Sequence, residues 1–175
     1  MKLSGDHLEP YKAGVVPDHW AYGRIREITG KMVAISGLCT NNRKVELILP
    51  RTRSLSKYEI AEICATDCNA EPGKTFNDLL CIGFFEVETG GQIVVGESVA
   101  IANEPIGRVA GFSDLHYPNH LNIVINSETW FTGIVRKPPM KSWENGASVF
   151  NIDFDIADSV SICLGSRSTI PVCAP

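Results

Sequence analysis

Short β-favouring runs separated by turn residues dominate the second half of the chain. From residue 76 onward four of them follow one another, reading LLCIGFFEVE, QIVVGESVAIA, IGRVAGFS and LNIVINSE. Their links are of turn length, which favours antiparallel pairing between neighbours. Fifteen glycines and ten prolines punctuate the sequence in the same manner. The pattern predicts an all-β fold, namely a small closed or partly open antiparallel β-barrel of meander or Greek-key type.

Residues 54–65 give the best helix signal in the chain. Ser56 and Glu59 fit a capping box, and Leu55 with Ile60 fits a hydrophobic staple. The stretch also alternates imperfectly between polar and apolar residues, so a strand stays open as the alternative. We therefore expect one short helix beside the barrel.

The first half of the chain also predicts a hairpin. Residues 22–38 contain two runs rich in Ile, Val and Met on either side of Thr29 and Gly30. Glycine readily supplies the positive φ that a tight turn requires. We expect the turn at this pair.

The length predicts one domain that spans residues 1–175. Within it we expect an N-terminal arm over 1–19, a loop over 136–147 and a C-terminal tail over 166–175. These segments lack regular β patterning and hold much of the chain's loop-forming composition.

Composition excludes several classes of partner. The hydrophobic fraction of 44% and the charged fraction of 21% are those of an ordinary globular protein. A net charge of −4 without a basic run disfavours nucleic acids and membrane surfaces. No run approaches the ~20 apolar residues of a membrane span, and the start MKLSGDHLEP lacks the apolar core of a signal peptide. We expect a cytoplasmic protein.

The six cysteines predict buried reduced thiols and no redox or zinc motif. Most lie in apolar, strand-like surroundings, where a thiol behaves as a small hydrophobe. Only Cys64 and Cys68 are close in sequence, and their three-residue gap is neither a redox CxxC nor half of a well-spaced zinc site.

The densest cluster of unusual chemistry is SDLHYPNH, residues 113–120, directly before a predicted strand. His116 and His120 would share one face of a helix, but Pro118 excludes an ordinary helix there. The two histidines therefore flank a turn that can aim both rings at one point. Asp114 is near enough in sequence to orient one of them.

Further polar residues near this loop are candidate ligand contacts. Asn119 and Asn122 carry amides that both donate and accept, which suits a hydroxyl-rich or amide-rich small molecule. Tyr117 adds an amphipathic ring in the loop. Arg108 lies in an otherwise small and apolar strand, as an outward-facing charge or an anion clamp. Trp130 follows the last strand of the group, where it seals a barrel mouth or contacts a ligand.

Three interpretations of the histidine loop stay open. The loop is a turn tied down by hydrogen bonds, a site for ligand recognition or acid–base chemistry, or a metal site. A metal ion needs at least a third ligand, and neither His7, His19 nor Asp114 has supporting spacing. We therefore expect no metal and no other cofactor.

The stretch GGQIVVGESVAIANEPIGRVAGFSDLHYPNHLNIVI, residues 90–125, resembles the glucitol/sorbitol-specific IIA component of the sugar phosphotransferase system. The resemblance implies a small closed β-barrel. That family's phosphocarrier histidine lies beside the strand that corresponds to LLCIGFFEVE, but no histidine occurs between His19 and His116. The family's Gly-His pair reads Gly107-Arg108 here. The resemblance thus implies a relative that has lost phosphotransfer and kept a pocket.

Together these features favour a β-barrel that binds a small polar metabolite. As an enzyme it would use cofactor-independent acid–base chemistry, such as isomerisation, cyclisation or elimination, with His116 and His120 handling protons and Asp114 orienting a ring. One alternative is a non-catalytic structural protein that forms homo-oligomers through exposed strand edges. The other is a metal-dependent enzyme with histidine ligands.

Overall fold

The computed structural model describes residues 26–67, 69–127, 141–142, 147–149 and 155–163. These residues contain strands and turns but no helix. The strands are β1 (Ile28–Thr40), β2 (Val45–Glu46), β3 (Thr52–Leu55), β4 (Ile60–Thr66), β5 (Thr75–Phe76), β6 (Leu79–Thr89), β7 (Gly91–Val94), β8 (Ser98–Ile101), β9 (Glu104–Ser113), β10 (Leu121–Asn126), β11 (Lys141–Ser142), β12 (Ala147–Val149) and β13 (Ser159–Cys163).

Seven strands close a barrel in the order β1, β13, β8, β9, β10, β4, β6 and back to β1. The prediction of an all-β barrel is confirmed, and the barrel is closed. One feature departs from the expected antiparallel arrangement, because β4 and β10 pair in parallel. The other six contacts around the barrel are antiparallel. Outside the barrel, β2 pairs with β5, β3 with β7, and β11 and β12 extend from β1.

Side-chain alternation along β4 divides the protein into two apolar layers. Ala61, Ile63 and Ala65 join the large cluster that fills the barrel. Cys64, which faces the other way, joins a second cluster on the outside of the wall. That outer cluster is covered by residues of β2, β5 and the segments beside them, and it comprises Val45, Leu47, Cys64, Ala70, Phe76, Leu79, Cys81, Ala110 and Val124.

The predicted short helix over 54–65 is wrong, because these residues form the end of β3, a turn and most of β4. The capping residues nevertheless make the expected local contact: the backbone N–H of Ser56 donates to Glu59 Oε2 at 2.8 Å. Tyr58 between them has a φ of 70°, which a helix does not allow. The motif therefore stabilises a tight turn, and sheet pairing by β4 replaces the helix.

The predicted turn at Thr29 and Gly30 is also wrong. Both residues lie inside β1, which continues to Thr40 and pairs with β6. A Cβ atom on Gly30 would collide with the carbonyl oxygen of Glu86 and the ring of Phe85. The glycine therefore permits the close approach of β6 and makes no turn.

The predicted domain segments are only partly described. The arm 1–19 and the tail 166–175 lie outside the described residues. In the expected loop 136–147, Lys141–Ser142 form β11 and Ala147 begins β12. A single domain over the whole chain stays a prediction.

Two isoleucines on β4 test the orientation of this strand. Ile63 is fully buried in the barrel and Ile60 is 36% exposed. We expect Ile63→Ala to lower the free energy of unfolding by about 2–5 kcal/mol, because it leaves a cavity. Ile60→Ala should cost about 1 kcal/mol or less. Urea denaturation measures both, and equal losses would contradict this orientation.

Candidate functional site

The parallel pairing of β4 and β10 sets two polar residues side by side on the outer face of the barrel wall. Glu62 and Asn122 are register partners, and they are 4% and 2% exposed. The histidine loop runs directly into β10, so its end arrives next to this pair. The backbone thus brings a buried carboxylate to the loop that carries His116 and His120.

Glu62, His116 and His120 form a compact cluster. His116 Nδ1 lies 3.0 Å from His120 Nε2. Glu62 Oε2 lies 3.2 Å from His120 Nε2 and 3.5 Å from His116 Nδ1. The side chains of Glu62, His120 and His116 are 5%, 12% and 32% exposed, so the cluster opens to solvent through the histidines.

Neighbouring side chains hold both histidine rings. Arg43 Nη2 donates to His116 Nε2 at 3.0 Å. Asn119 Nδ2 lies 3.3 Å from His120 Nδ1, and the ring of Phe84 meets the His120 ring edge-on at a centroid distance of 5.0 Å. Because guanidinium only donates, His116 Nε2 must carry the lone pair in this arrangement. The proton of a neutral His116 then lies on Nδ1, inside the cluster.

Asp114 was predicted to orient a histidine ring, but the carboxylate that contacts the histidines is that of Glu62. Asp114 accepts two hydrogen bonds from Arg53 Nη2, at 3.1 and 3.2 Å, and Glu62 occupies the position beside the rings. Arg108 donates to the carbonyl oxygen of Gly96, away from the loop. Trp130 lies outside the described residues.

The remaining predicted ligand contacts divide between two places. Asn122 is buried in the cluster, where its Nδ2 lies 3.3 Å from His116 Nδ1. Tyr117, Asn119 and His120 instead line a groove of about 700 Å³ between the loop and the β3–β4 turn. The groove is lined by Thr52, Arg53, Ser54, Glu59, Ile60, Asp114, Tyr117, Pro118, Asn119, His120 and Leu121. His120 therefore belongs to both the groove and the buried cluster.

Sequence reasoning missed Glu62 and Arg43. Glu62 lies 54 positions before His116 and falls inside the stretch that favoured a helix. Only the pairing of β4 with β10 brings Glu62 and His116 together. The available signal was local: a carboxylate within the apolar run EICA is costly to bury without a partner.

Comparison with known protein families gives a match over more than half of the chain. A family of unknown function (DUF6917) matches residues 22–140. The chain belongs to this family. The matched region includes every strand from β1 to β10, together with the cluster and the groove. No curated protein and no solved structure matches the chain.

Two further expectations concern the relatives of the chain and the membrane. The resemblance to the glucitol/sorbitol-specific IIA component stays a prediction, as the family match neither includes nor excludes it. In the described part of the chain, no helix is long and apolar enough to cross a bilayer.

Three cysteines in the described residues are free; Cys64 and Cys81 are buried, as predicted, whereas Cys39 is partly exposed. Cys64 and Cys81 are buried with their sulfurs 3.7 Å apart. Their mutual hydrogen bond, with burial, raises the pKa of the Cys64 thiol well above its usual range. Burial first, and then the carboxylate of Asp78, raises the pKa of Cys39 to about 11. The thiols of Cys39 and Cys64 are therefore held in the protonated, weakly nucleophilic form.

The Cys39 thiol should show this shift in its alkylation rate. Only the thiolate reacts, so the rate in the folded protein should rise about tenfold per pH unit from pH 8 to pH 10. Iodoacetamide labelling with peptide mass spectrometry measures the rate at this one residue. In the unfolded chain the rate should level off near pH 9, and the same plateau in the folded protein would contradict the prediction.

Proposed function

We propose that this barrel binds a small polar molecule in the groove and acts on it with the cluster of Glu62, His116 and His120. The supporting observation is the position of His120, which lines the groove and also lies 3.2 Å from the buried carboxylate of Glu62. A molecule in the groove would therefore meet a ring whose other contacts reach into the protein.

The groove has the size and lining of a small-molecule site. Its volume of about 700 Å³ lies in the usual range of such sites, about 300–1,000 Å³. Tyr117 and Ile60 offer apolar surface, whereas Asn119 and Thr52 offer hydrogen-bonding groups. This mixture suits a molecule with hydroxyl groups on a carbon frame.

The chemistry that these side chains support by themselves is proton transfer. Imidazole binds and releases protons near neutral pH, and a carboxylate behind it stabilises the charged ring. Isomerisation, cyclisation and elimination all require such transfer. Glu62 takes the role that the sequence suggested for Asp114.

Two tyrosines allow a matched test of the groove. Tyr117 lines it and is 73% exposed; Tyr58 is 69% exposed and does not line it. Thermal-shift screening of polyols, sugar phosphates and hydroxycarboxylates would identify a ligand. We expect Tyr117→Ala to weaken its binding about two- to tenfold, the contribution of one ring contact. The control, Tyr58→Ala, should bind the ligand with wild-type affinity. Tyr117→Ala and Tyr58→Ala should both keep the wild-type stability within about 0.5 kcal/mol.

Calorimetric titration of the identified ligand gives the affinities. Equal affinities for the two tyrosine variants would place the ligand elsewhere and contradict the proposal. A screen without any ligand, in a chain that sediments as an oligomer, would favour the non-catalytic assembly role instead.

A further inference from the structure

We infer that Glu62, His116 and His120 form a binding site for one divalent transition-metal ion, with Asn122 as a further ligand. The inference deepens the proposed function and rests on it for the role of the ion at the groove. The metal site itself depends only on the geometry and hydrogen bonding of these four side chains.

The three ligand atoms are spaced like the corners of a coordination shell. Their separations are 3.0, 3.2 and 3.5 Å. Bonds of about 2.0–2.1 Å at tetrahedral angles put neighbouring ligand atoms about 3.3–3.4 Å apart. A single ion can therefore reach all three atoms without a large movement of Glu62, His116 or His120.

Hydrogen bonding does not account for the same geometry. An ionised carboxylate only accepts, so each contact to Glu62 Oε2 requires a proton on the histidine nitrogen. Two protonated nitrogens then face each other across 3.0 Å, as donor against donor. With Glu62 ionised, no proton arrangement makes all three contacts favourable. A cation at the centre accepts three lone pairs at once.

The ligand types select the class of ion. Two imidazoles and one carboxylate are the protein ligands of catalytic zinc sites and of the non-haem iron facial triad. Both types keep at least one coordination position open. Here the exposed side of the cluster is the histidine side, and His120 faces the groove. An ion at this point would polarise an oxygen of the groove ligand.

Asn122 provides an independent observation that points to the same place. Its side chain is 2% exposed, and its Oδ1 has no hydrogen-bond partner among the described residues. Its Nδ2 lies 3.3 Å from His116 Nδ1. The two ends of an amide are distinguished only through their partners. Rotation of the Asn122 amide by 180° would place Oδ1 where Nδ2 now lies, 3.3 Å from His116 Nδ1. That distance is the spacing of neighbouring ligand atoms around one ion, so Oδ1 could serve as a fourth ligand.

A second set of side chains meets the same distance criterion but fits a cation less well. Glu62, Cys64 and Cys81 also have ligand atoms within 4.8 Å of one another. Both sulfurs belong to the outer apolar cluster and donate or accept a hydrogen bond between themselves. The histidine side is open to solvent, and the cysteine side is buried.

Arg43 competes with the ion. Its donation to His116 Nε2 requires the lone pair on that nitrogen, which leaves the proton on Nδ1, the nitrogen that would face the metal. Metal binding requires the opposite tautomer. The guanidinium also repels a second cation nearby. Removal of Arg43 should therefore strengthen metal binding, which is not expected of an ordinary loss of packing.

Titration of the full-length, chelator-stripped protein with Zn²⁺ tests the site. We expect one ion per chain by calorimetry, visible absorption bands with Co²⁺, and a rise in Tm with Zn²⁺. Glu62→Gln and His120→Ala should each weaken Zn²⁺ binding by more than about 100-fold, since even residues behind the ligands contribute about 10–100-fold. Glu88→Gln is the control, because Glu88 is half-exposed and pairs with Lys31.

Glu62→Gln should keep the fold of the metal-free protein, since the amide has the same shape and gives the histidines a donor. No Zn²⁺ binding by the wild-type protein would overturn the inference. Binding that Glu62→Gln, His120→Ala and Glu88→Gln retain equally would overturn it as well.

The competing arginine gives a prediction of opposite sign. Arg43→Met should bind Zn²⁺ more tightly than wild type, by up to about tenfold, because it removes the nearby positive charge and frees the His116 tautomer that the ion requires. Arg53→Met is the matched control, because Arg53 holds Asp114 of the same loop without contacting a histidine. We expect a smaller change there. Weaker Zn²⁺ binding by Arg43→Met would contradict the geometry at His116 Nδ1.

The same measurements separate this inference from the proposed function. If wild type binds Zn²⁺, Glu62→Gln loses that binding and no ligand is found for the groove, the metal site stands and the proposed function is overturned. If instead the protein takes up no Zn²⁺ and binds a groove ligand equally well with and without added Zn²⁺, the metal site is overturned and the proposed function stands.

Discussion

The parallel pairing of β4 with β10 is the contact on which the rest of this structure depends. It closes the barrel between two strands that are far apart in sequence, from Leu121 beside Ala61 to Asn126 beside Thr66. A shift of one residue would exchange the inner and outer faces of β10. It would move Asn122 into the barrel and separate it from Glu62. The core and the site are therefore fixed by the same register.

The outer face of the barrel wall is buried along most of β4. Glu62 and Cys64 alternate with core residues on β4 and point away from the barrel, yet both are buried. The cover of β2, β5 and the histidine loop creates a layer that is apolar at Cys64 and polar at Glu62. Burial of a carboxylate without partners costs free energy, and the contacts with His116 and His120 offset part of that cost at Glu62. The catalytic or binding chemistry proposed for the groove draws on that same buried charge.

Local sequence patterns were informative about contacts and less so about the elements that contain them. Ser56 and Glu59 make the hydrogen bond of a capping box, but inside a turn between strands. Gly30 was expected in a turn and instead lies under β6. The local contact forms at Ser56 and Glu59 but not at Gly30. In both cases pairing with a distant strand decided the outcome, because a strand gains many backbone hydrogen bonds that a local pattern does not reveal.

The sequence by itself determined the fold class and the histidine loop. Crowded β runs with turn-length links require a sheet, and Pro118 excludes a helix between His116 and His120. The tertiary structure alone decided closure through a parallel pair, the position of Glu62 instead of Asp114 beside the histidines, and the placement of the candidate site on the outer wall. Parallel strands need long crossover connections, so their partners are set by the packing of the whole chain and by no local pattern.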